Sequence, residues 1–148
     1  MRTFDDLEPG WTETYGPHTM ERTAMTEFAA GFDPQPMHLD AEAAREKGYE
    51  DVFASGLHTV GVGTRLLVEN FLNDSTNLGG LGIEELSWHA PVYPGDELSV
   101  RHEVVSTRVS ESNPDRGVVV RDIEVFRGED GDEEVVCSWT VAILMARG

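Results

Sequence analysis

The sequence is poor in cysteine and has no long apolar run. Its one cysteine, Cys137, excludes an internal disulfide and a zinc site built from a Cys/His cluster. We therefore expect Cys137 to be a small buried residue in a reducing compartment. No stretch approaches the roughly 20 apolar residues of a membrane-spanning helix, and the first residues lack the apolar run of a signal peptide. These absences predict a soluble, cytoplasmic protein.

Cations are also scarce. The chain has 11 Lys and Arg residues against 28 Asp and Glu residues, a formal charge of -17, and a single lysine, Lys47. Nucleic acids and anionic membranes bind to basic patches, so we expect neither as a partner. An acidic surface that uses Arg rather than Lys resembles proteins from salt-loving cells, because the Debye length of about 3 Å in molar salt screens the repulsion. The alternative is an ordinary acidic enzyme.

The length and the pattern predict one α+β domain over residues 1–148. The chain is long enough to bury one core, 39% of its residues are hydrophobic, and no repeat or linker divides it. Helical patterns fill the first half and alternating strand patterns the second. We predict a first strand at 11–19, helices at 23–31, 41–47 and about 55–73, a turn-rich link at 74–82, and strands at 83–90, 97–109, 117–126 and 133–146.

The long helix at 55–73 is expected to lie at the centre of the fold. Residues at helical spacing along one face are Leu57, Val60, Thr64, Leu67, Val68 and Phe71. The apolar ones among them are expected to be core residues first and walls of an acyl tunnel second. Gly56, Gly61 and Gly63 each cost about 1 kcal/mol relative to Ala in a helix, which indicates close approach of the sheet, a ligand or another subunit. Ser55 is predicted to cap this helix, as Thr23 and Asp40 are predicted to cap the two shorter ones.

The loop at 31–40 carries the candidate chemistry. Pro34 and Pro36 fix the backbone in an irregular, rigid conformation. A loop that curls between Asp33 and His38 brings a carboxylate and an imidazole together as an acid/base pair. Each residue also has a structural explanation, because Asp33 can form a turn before Pro34 and His38 can be a core histidine that binds a backbone carbonyl.

Three segments together resemble a known family. They are Asp33-Pro-Gln-Pro-Met-His38, Ala54-Ser-Gly56 at a helix start, and Pro91-Val-Tyr-Pro-Gly-Asp96 before long strands. The pattern resembles the MaoC-like dehydratases, which include the (R)-specific enoyl-CoA hydratases, and the likeness covers nearly the whole chain. Gln35 stands where the hydratase motif has Asn.

The resemblance implies a hot-dog fold, an antiparallel sheet wrapped around the long helix, with the site on the Pro-rich loop. It also implies a homodimer or a higher oligomer, a thioester substrate on coenzyme A or a carrier protein, and no metal or bound redox cofactor. Hydration of trans-2-enoyl-CoA to (R)-3-hydroxyacyl-CoA needs a base, an acid and donors for the thioester oxygen. We assign Asp33 and His38 to the first two roles and the backbone N–H of Gly56 to the third, with four substrate-binding candidates: Gln35, Ser55, Leu57 and His58. For His58 a role in packing between helices is the favoured alternative.

Two other functions stay open. A hot-dog thioesterase would need an acid on or beside the central helix, where Glu69 is the only carboxylate. A non-catalytic acyl-thioester-binding subunit would keep the fold and lose the chemistry, and Gln35 keeps this alternative open. Arginines that could meet the phosphates of coenzyme A are Arg65, Arg101, Arg108 and Arg121. We expect structural roles for His18, His89, His102, Trp88 and Trp139.

Overall fold

The computed structural model describes all residues, 1–148, and shows one antiparallel sheet curved around one long helix. The strand order across the sheet is β1-β3-β4-β5-β2. The strands are β1 (Thr12–Thr19), β2 (Asn77–Trp88), β3 (Glu97–Val109), β4 (Arg116–Arg127) and β5 (Glu134–Ala146), and the helices are α1 (Arg22–Phe32), α2 (Ala41–Glu46) and α3 (Gly56–Asn70).

The strands β3, β4 and β5 form the middle of the sheet, and their alternating pattern gives it one buried face. In β4, Ile123 and Val125 are fully buried against α3, whereas Asp122, the residue before Ile123, points to the other face and is exposed. Ile123 is paired with Trp139 of β5 on one side and with His102 of β3 on the other. Side chains of alternate residues thus cover the helix, as the period of two in a strand requires.

The helix α3 lies close to the sheet at a glycine. A Cβ atom on Gly63 would stand 2.7 Å from Val125 Cγ2 and 3.0 Å from the Trp139 ring, which confirms the predicted close approach at this position. The buried residues of α3 are Thr59, Val62, Gly63, Leu66 and Leu67. No helix of the protein is both long enough and apolar enough to cross a membrane.

The predicted core face of α3 was therefore partly wrong. Leu67 and the following Phe71 are buried as predicted, but Leu57 is half exposed and Thr64 faces solvent. The buried stripe is centred on Gly63 because only a residue without a side chain allows the helix to approach the sheet there.

The core has two parts, one at each end of α3. The larger cluster surrounds Val62 and Trp139, and the smaller one surrounds Phe71 near the end of the helix. The smaller cluster is closed from outside by Phe4, whose ring lies against Gly117 where a Cβ atom would be 2.3 Å away. The two clusters give the two ends of α3 different environments.

The largest error in the predicted boundaries concerns β2. The link predicted at 74–82 is mostly strand, because β2 begins at Asn77 and runs through a glycine-rich segment. This segment pairs with β5 through three shifts of register. An edge strand tolerates such irregularity and tolerates Gly, since only one of its sides is hydrogen-bonded to the sheet.

The predicted helix caps had different outcomes. Asp40 caps α2, because its carboxylate accepts a hydrogen bond of 3.0 Å from the backbone N–H of Ala43. The caps predicted for Thr23 and Ser55 are wrong. The helix α1 begins one residue before Thr23, with Glu21 at its N-cap position, and the Ser55 side chain makes no capping bond.

Candidate active site

The Pro-rich loop follows α1 directly and folds back in a tight turn. The N–H of Asp33 still donates to the carbonyl of Ala29 in the last turn of α1 (2.8 Å), and Gln35 N–H donates to the Asp33 carbonyl (2.7 Å). A single turn of 3-10 helix then spans Pro36–His38. Backbone hydrogen bonds and fixed proline dihedrals therefore hold Asp33 and His38 on the same side of the loop.

His38 is buried, and a backbone carbonyl fixes its tautomer. Its Nδ1 lies 2.9 Å from the carbonyl oxygen of Phe53, and its ring stands edge-on to the Phe53 ring at 4.6 Å. A carbonyl oxygen only accepts hydrogen bonds, so Nδ1 carries the proton. The other nitrogen, Nε2, is 3.5 Å from Asp33 Oδ2. In the neutral ring Nε2 is thus an acceptor that faces a carboxylate.

Two neighbours hold the Asp33 carboxylate in its charged form. Ser55 Oγ donates to Oδ2 and Gln35 Nε2 donates to Oδ1, both at 2.7 Å. The Ser55 hydroxyl, followed by the Gln35 amide, lowers the pKa of Asp33 below its ordinary value. Gln35 therefore still reaches the carboxylate even though it stands in the place of the motif's Asn.

Asp33 Oδ2 and His38 Nε2 are close enough together for one water molecule beside them, on the cavity side, to reach both. Two acceptors 3.5 Å apart form no hydrogen bond with each other. A water molecule can donate one O–H to Asp33 Oδ2 and the other to His38 Nε2, which orients its oxygen away from both. Such a water is held by two bases at once and is a nucleophile for an electrophilic carbon next to the pair.

The first turn of α3 supplies free backbone donors beside this pair. The N–H groups of Gly56 and Leu57 make no hydrogen bond within the chain. They lie at the positive end of a 15-residue helix, where unpaired N–H groups favour a partly negative oxygen. This arrangement is able to stabilise an oxyanion.

These groups open into one cavity of about 430 Å³. Of the residues named from the sequence, Asp33, Gln35, His38, Gly56 and Leu57 line it. The sequence did not identify the other lining residues, which are Met37, Tyr49, Phe53, Ala54, Thr59, Trp88, His89, Ala90, Pro91 and Val92. The segment before Gly56 and the segment after β2 both line the cavity, and a hydrogen bond from the Ala54 N–H to the Val92 carbonyl joins them (2.9 Å).

Ser55 and His58 are placed differently from the prediction. Ser55 is fully buried and holds Asp33 from behind, so it is not a wall of the cavity. His58 points away from the cavity and stacks on Phe28 of α1, with ring centres 4.8 Å apart and planes within 8°. Burial lowers the pKa of His58. Of the two roles predicted for His58, the structure therefore shows packing between helices rather than a place in the cavity wall, because its position on α3 faces α1.

Trp88 and His89, both predicted to be structural, also line the cavity. Trp88 is half exposed there, whereas Trp139 is buried in the core as predicted. The Nε2 atom of His89 lies 2.7 Å from Ser138 Oγ. Both residues come just before Pro91, where the chain leaves the sheet. Pro91 was the signal in the sequence that could have identified Trp88 and His89 as lining residues, since side chains at the end of a strand can face a site.

The candidate arginines are mostly engaged elsewhere. Arg121 is 2% exposed, so it cannot reach a phosphate at the surface. Arg65 pairs with Glu69, and Arg101 pairs with two carboxylates on the sheet. Arg108 is exposed and makes no ion pair. No group of three or more His, Cys, Asp and Glu side chains comes together as a set of metal ligands.

This combination of a sheet around a helix, an Asp/His pair and free N–H groups at the helix start defines a hot-dog protein with a hydratase-like site. The sequence matches the family described as the MaoC like domain over residues 11–126. The chain therefore belongs to the MaoC-like dehydratase family.

Known proteins agree with this assignment. The structure of a MaoC-like dehydratase from Rhodospirillum rubrum superimposes with a TM-score of 0.91, at 37% identity, over 100% of this chain and 99% of that one. The (R)-hydratase of A. caviae, involved in PHA biosynthesis, shares the fold with a TM-score of 0.71 at 23% identity, over 95% and 97% of the two chains. A mesaconyl-CoA hydratase of Haloarcula hispanica is 31% identical over 99 residues, which are 66% of this chain and 26% of that protein.

Proposed function

We propose that the protein adds water to a trans-2-enoyl thioester to give an (R)-3-hydroxyacyl thioester, and catalyses the reverse dehydration. The observation that carries the proposal is the 3.5 Å gap between Asp33 Oδ2 and His38 Nε2, which opens into the cavity beside the free N–H of Gly56. Membership of the family supports hydration of acyl thioesters in general, and the Haloarcula relative is a mesaconyl-CoA hydratase.

The reaction follows from the positions of these groups. The Asp33/His38 pair takes one proton from the water between them as the water oxygen bonds to the β-carbon. The electron pair of the double bond moves through the α-carbon toward the thioester oxygen, where the N–H of Gly56 stabilises the negative charge. The pair then delivers the proton to the α-carbon. Because both atoms come from the same side, the addition is syn.

The thioesterase alternative has little support in the structure. Glu69 is exposed and bound to Arg65 Nε at 2.7 Å. It lies 13 residues after Gly56 on α3, which is about 20 Å along the helix axis. A carboxylate at that distance cannot activate water toward a carbonyl held at the start of the helix.

The exposed edge of the sheet supports a homodimer. Three apolar side chains of the edge strand β2 are about half exposed, namely Leu78, Leu81 and Ile83. An apolar edge strand with unpaired backbone groups favours pairing with a second copy. The same strand ends at Trp88 beside the cavity, so this pairing would place the site close to the subunit interface. Coenzyme A or a carrier protein is the proposed handle of the substrate, and the proposal includes no metal or redox cofactor.

The net charge of -17 supports the proposal that the protein works at high salt, as in a halophilic cell. The cytoplasm is its proposed location, and fatty acid metabolism is one proposed setting for this chemistry. The test of function should therefore use high-salt buffer. Crotonyl-CoA is the probe, and hydration is measured as loss of the conjugated enoyl-thioester absorbance, with chiral analysis of the product.

We expect activity in the parent and a loss of at least about 100-fold in Asp33→Asn and in His38→Gln, with the fold intact by circular dichroism. Glu69→Gln is the matched control on α3 and should keep full activity. Release of free thiol that depends on Glu69 would indicate the thioesterase instead. A parent that is inactive on crotonyl-CoA and on longer and branched enoyl thioesters would indicate a binding subunit.

A further inference from the structure

The indole ring of Trp88 lies directly on Gly56, at the place where the thioester oxygen is proposed to bind. A Cβ atom on Gly56 would stand 2.3 Å from both Nε1 and Cε2 of this ring. No real side chain tolerates that distance, so the absence of a side chain at Gly56 is what allows the indole to be there. The space that sequence analysis assigned to the substrate carbonyl is thus shared with a tryptophan.

The position of Trp88 is fixed by the sheet. Trp88 pairs with Cys137 of β5, and the next residue, His89, donates its backbone N–H to the carbonyl of Val136 at 2.8 Å. The His89 ring also reaches Ser138. These hydrogen bonds fix the backbone of Trp88, so its side chain begins at a defined position next to α3 although 51% of the residue is exposed.

Three neighbouring donors at this place have no acceptor in the protein. They are the indole N–H of Trp88 and the backbone N–H groups of Gly56 and Leu57, none of which donates a hydrogen bond within the chain. Standard backbone dimensions place the nitrogen of Gly56 and Nε1 of Trp88 at most about 5 Å apart. One oxygen that accepts from both at about 2.9 Å requires donors less than about 6 Å apart. The two donors therefore meet the distance condition for sharing one acceptor.

We propose that the indole N–H of Trp88 is a second donor to the thioester oxygen, beside the N–H of Gly56. The inference rests on the proposed function for the identity of the ligand, a thioester. Negative charge develops on this oxygen when water adds to the β-carbon, so a donor already in place lowers the barrier. Trp88 would then touch the substrate rather than only form a wall of the cavity.

Infrared spectroscopy tests this role without relying on turnover. Butyryl-CoA is saturated and does not react, and labelling its thioester carbonyl with carbon-13 makes the stretch visible in the complex. In the parent we expect this stretch at lower frequency than in water, because donors polarise the carbonyl. Trp88→Phe keeps most of the ring volume and removes the N–H, so part of the shift should be lost. Trp11→Phe removes an indole outside the cavity and should leave the shift unchanged.

The kinetic expectation is a loss in kcat/KM for crotonyl-CoA of about 10- to 100-fold in Trp88→Phe, carried by kcat rather than KM. Gly56→Ala forces the ring away and also places a methyl group where the carbonyl binds, so it should lose at least the part of the carbonyl shift that Trp88→Phe loses. The double variant should be no worse than Gly56→Ala alone, because the alanine has already removed the Trp88 interaction.

Some results would overturn the inference while leaving the proposed function intact. An unchanged carbonyl stretch and kcat in Trp88→Phe, with a broader range of chain lengths in Trp88→Ala, would make Trp88 a steric wall. Butyryl-CoA that does not bind would also reject it. The parent could also bind butyryl-CoA without hydrating any enoyl thioester. The hydratase proposal would then fail, but a carbonyl shift that is smaller in Trp88→Phe would still support the indole N–H of Trp88 as a donor.

Discussion

The two ends of α3 carry similar polar residues in opposite settings. At its start, His38 is combined with a hydroxyl, Ser55, and a carboxylate, Asp33, at the edge of a cavity. Near its end, His102 is combined with the hydroxyl of Tyr15, which donates to Glu13 at 2.5 Å. We call this the sealed end of α3 because His102 itself is fully buried beside the smaller core cluster, although the Tyr15 side chain is only partly buried and Glu13 is about one-third exposed. The residue types alone do not distinguish the two.

The difference lies in whether the histidine has a free nitrogen. At the sealed end, Arg121 donates to Nδ1 of His102 at 2.8 Å, and Nε2 is 3.0 Å from the Tyr15 hydroxyl. An arginine only donates, so Nδ1 is the acceptor and Nε2 carries the proton. Both nitrogens are used within the protein. At the open end, Nδ1 of His38 is used by the carbonyl of Phe53, and Nε2 has no closer partner than Asp33 at 3.5 Å.

The sealed network also contains a buried cation without a carboxylate in contact. Arg121 is 2% exposed, its Nε has no partner, and its guanidinium lies 5.2 Å from the ring of Phe71. Burial lowers the pKa of Arg121 to about 10. Such a network fixes the packing of β1, β3 and β4 around Phe71, leaves neither nitrogen of His102 for a ligand, and keeps the unpaired Arg121 Nε out of reach because that residue is buried. Chemistry is therefore expected only at the start of α3.

The largest expected effect separates the two histidines. His38→Gln should abolish most hydration while the protein stays folded, and His102→Leu should do the reverse. Loss of His102 leaves a buried guanidinium N–H without its acceptor, which we expect to cost about 3 kcal/mol of unfolding free energy. For a chain of this length the melting temperature should fall by roughly 6–12 °C.

Thermal unfolding and crotonyl-CoA hydration, measured on both variants below their melting temperatures, check this prediction. If His102→Leu lost its activity while keeping its stability, the sealed network would take part in the reaction and the comparison would fail. The parent measured in the same salt is the control.

A smaller effect concerns the pH dependence of stability at the sealed end. Burial, followed by the charge of Arg121, lowers the pKa of His102 to about 3. The unfolded chain binds this proton at about pH 6.5 and the folded chain does not, so stability is complete above pH 6.5 and falls as the pH decreases toward 3. The slope from one group is about 1.36 kcal/mol per pH unit.

Urea unfolding at several pH values between about 4.5 and 7.5 measures this slope. In His102→Leu the contribution is absent, so the difference in stability between parent and variant should shrink as the pH falls. Carboxylates titrate in both proteins and cancel in the comparison. A difference that stays constant over this range would show that His102 titrates equally in the folded and unfolded states.

The smallest effect sharpens the description of the open end. Ser55→Ala removes the largest cause of the lowered pKa of Asp33, so that pKa should rise. In the proposed mechanism Asp33 acts as the carboxylate, so we expect activity to be lost as the pH falls through its pKa. The acid limb of kcat/KM should therefore move to higher pH in the variant, with little change at neutral pH.

The matched control is Ser106→Ala, an exposed serine of β3 without a side-chain hydrogen bond. A pH profile of kcat/KM for crotonyl-CoA is the measurement. An acid limb that does not move in Ser55→Ala would mean that Asp33 does not control it.

Local patterns predicted much of the fold. The strand β3 has the predicted bounds, β4 is one residue longer than predicted at each end, β5 begins one residue later, and the cap at Asp40 is confirmed. Family resemblance and the Pro-rich loop led to Asp33, His38 and Gly56, which the structure brings to one cavity. Their roles in catalysis remain predictions.

Errors arose where the outcome depended on residues distant in the chain. Ser55 has the right type and position for a cap, but the Asp33 carboxylate is its partner instead. His58 is one residue from Leu57, and the rotation of α3 turns it toward Phe28 rather than the cavity. Trp88 looked like a packing residue because an isolated strand pattern does not reveal what lies across from its last residue.

The sequence by itself determined the loop and the strands of this protein, because proline dihedrals, capping residues and alternation of apolar side chains act within a few residues of one another. Tertiary structure decided which polar group would be free. It did so by closing the core around His102 and leaving His38 at a cavity, since burial and hydrogen-bond partners depend on the register of distant strands and on how α3 is rotated against them.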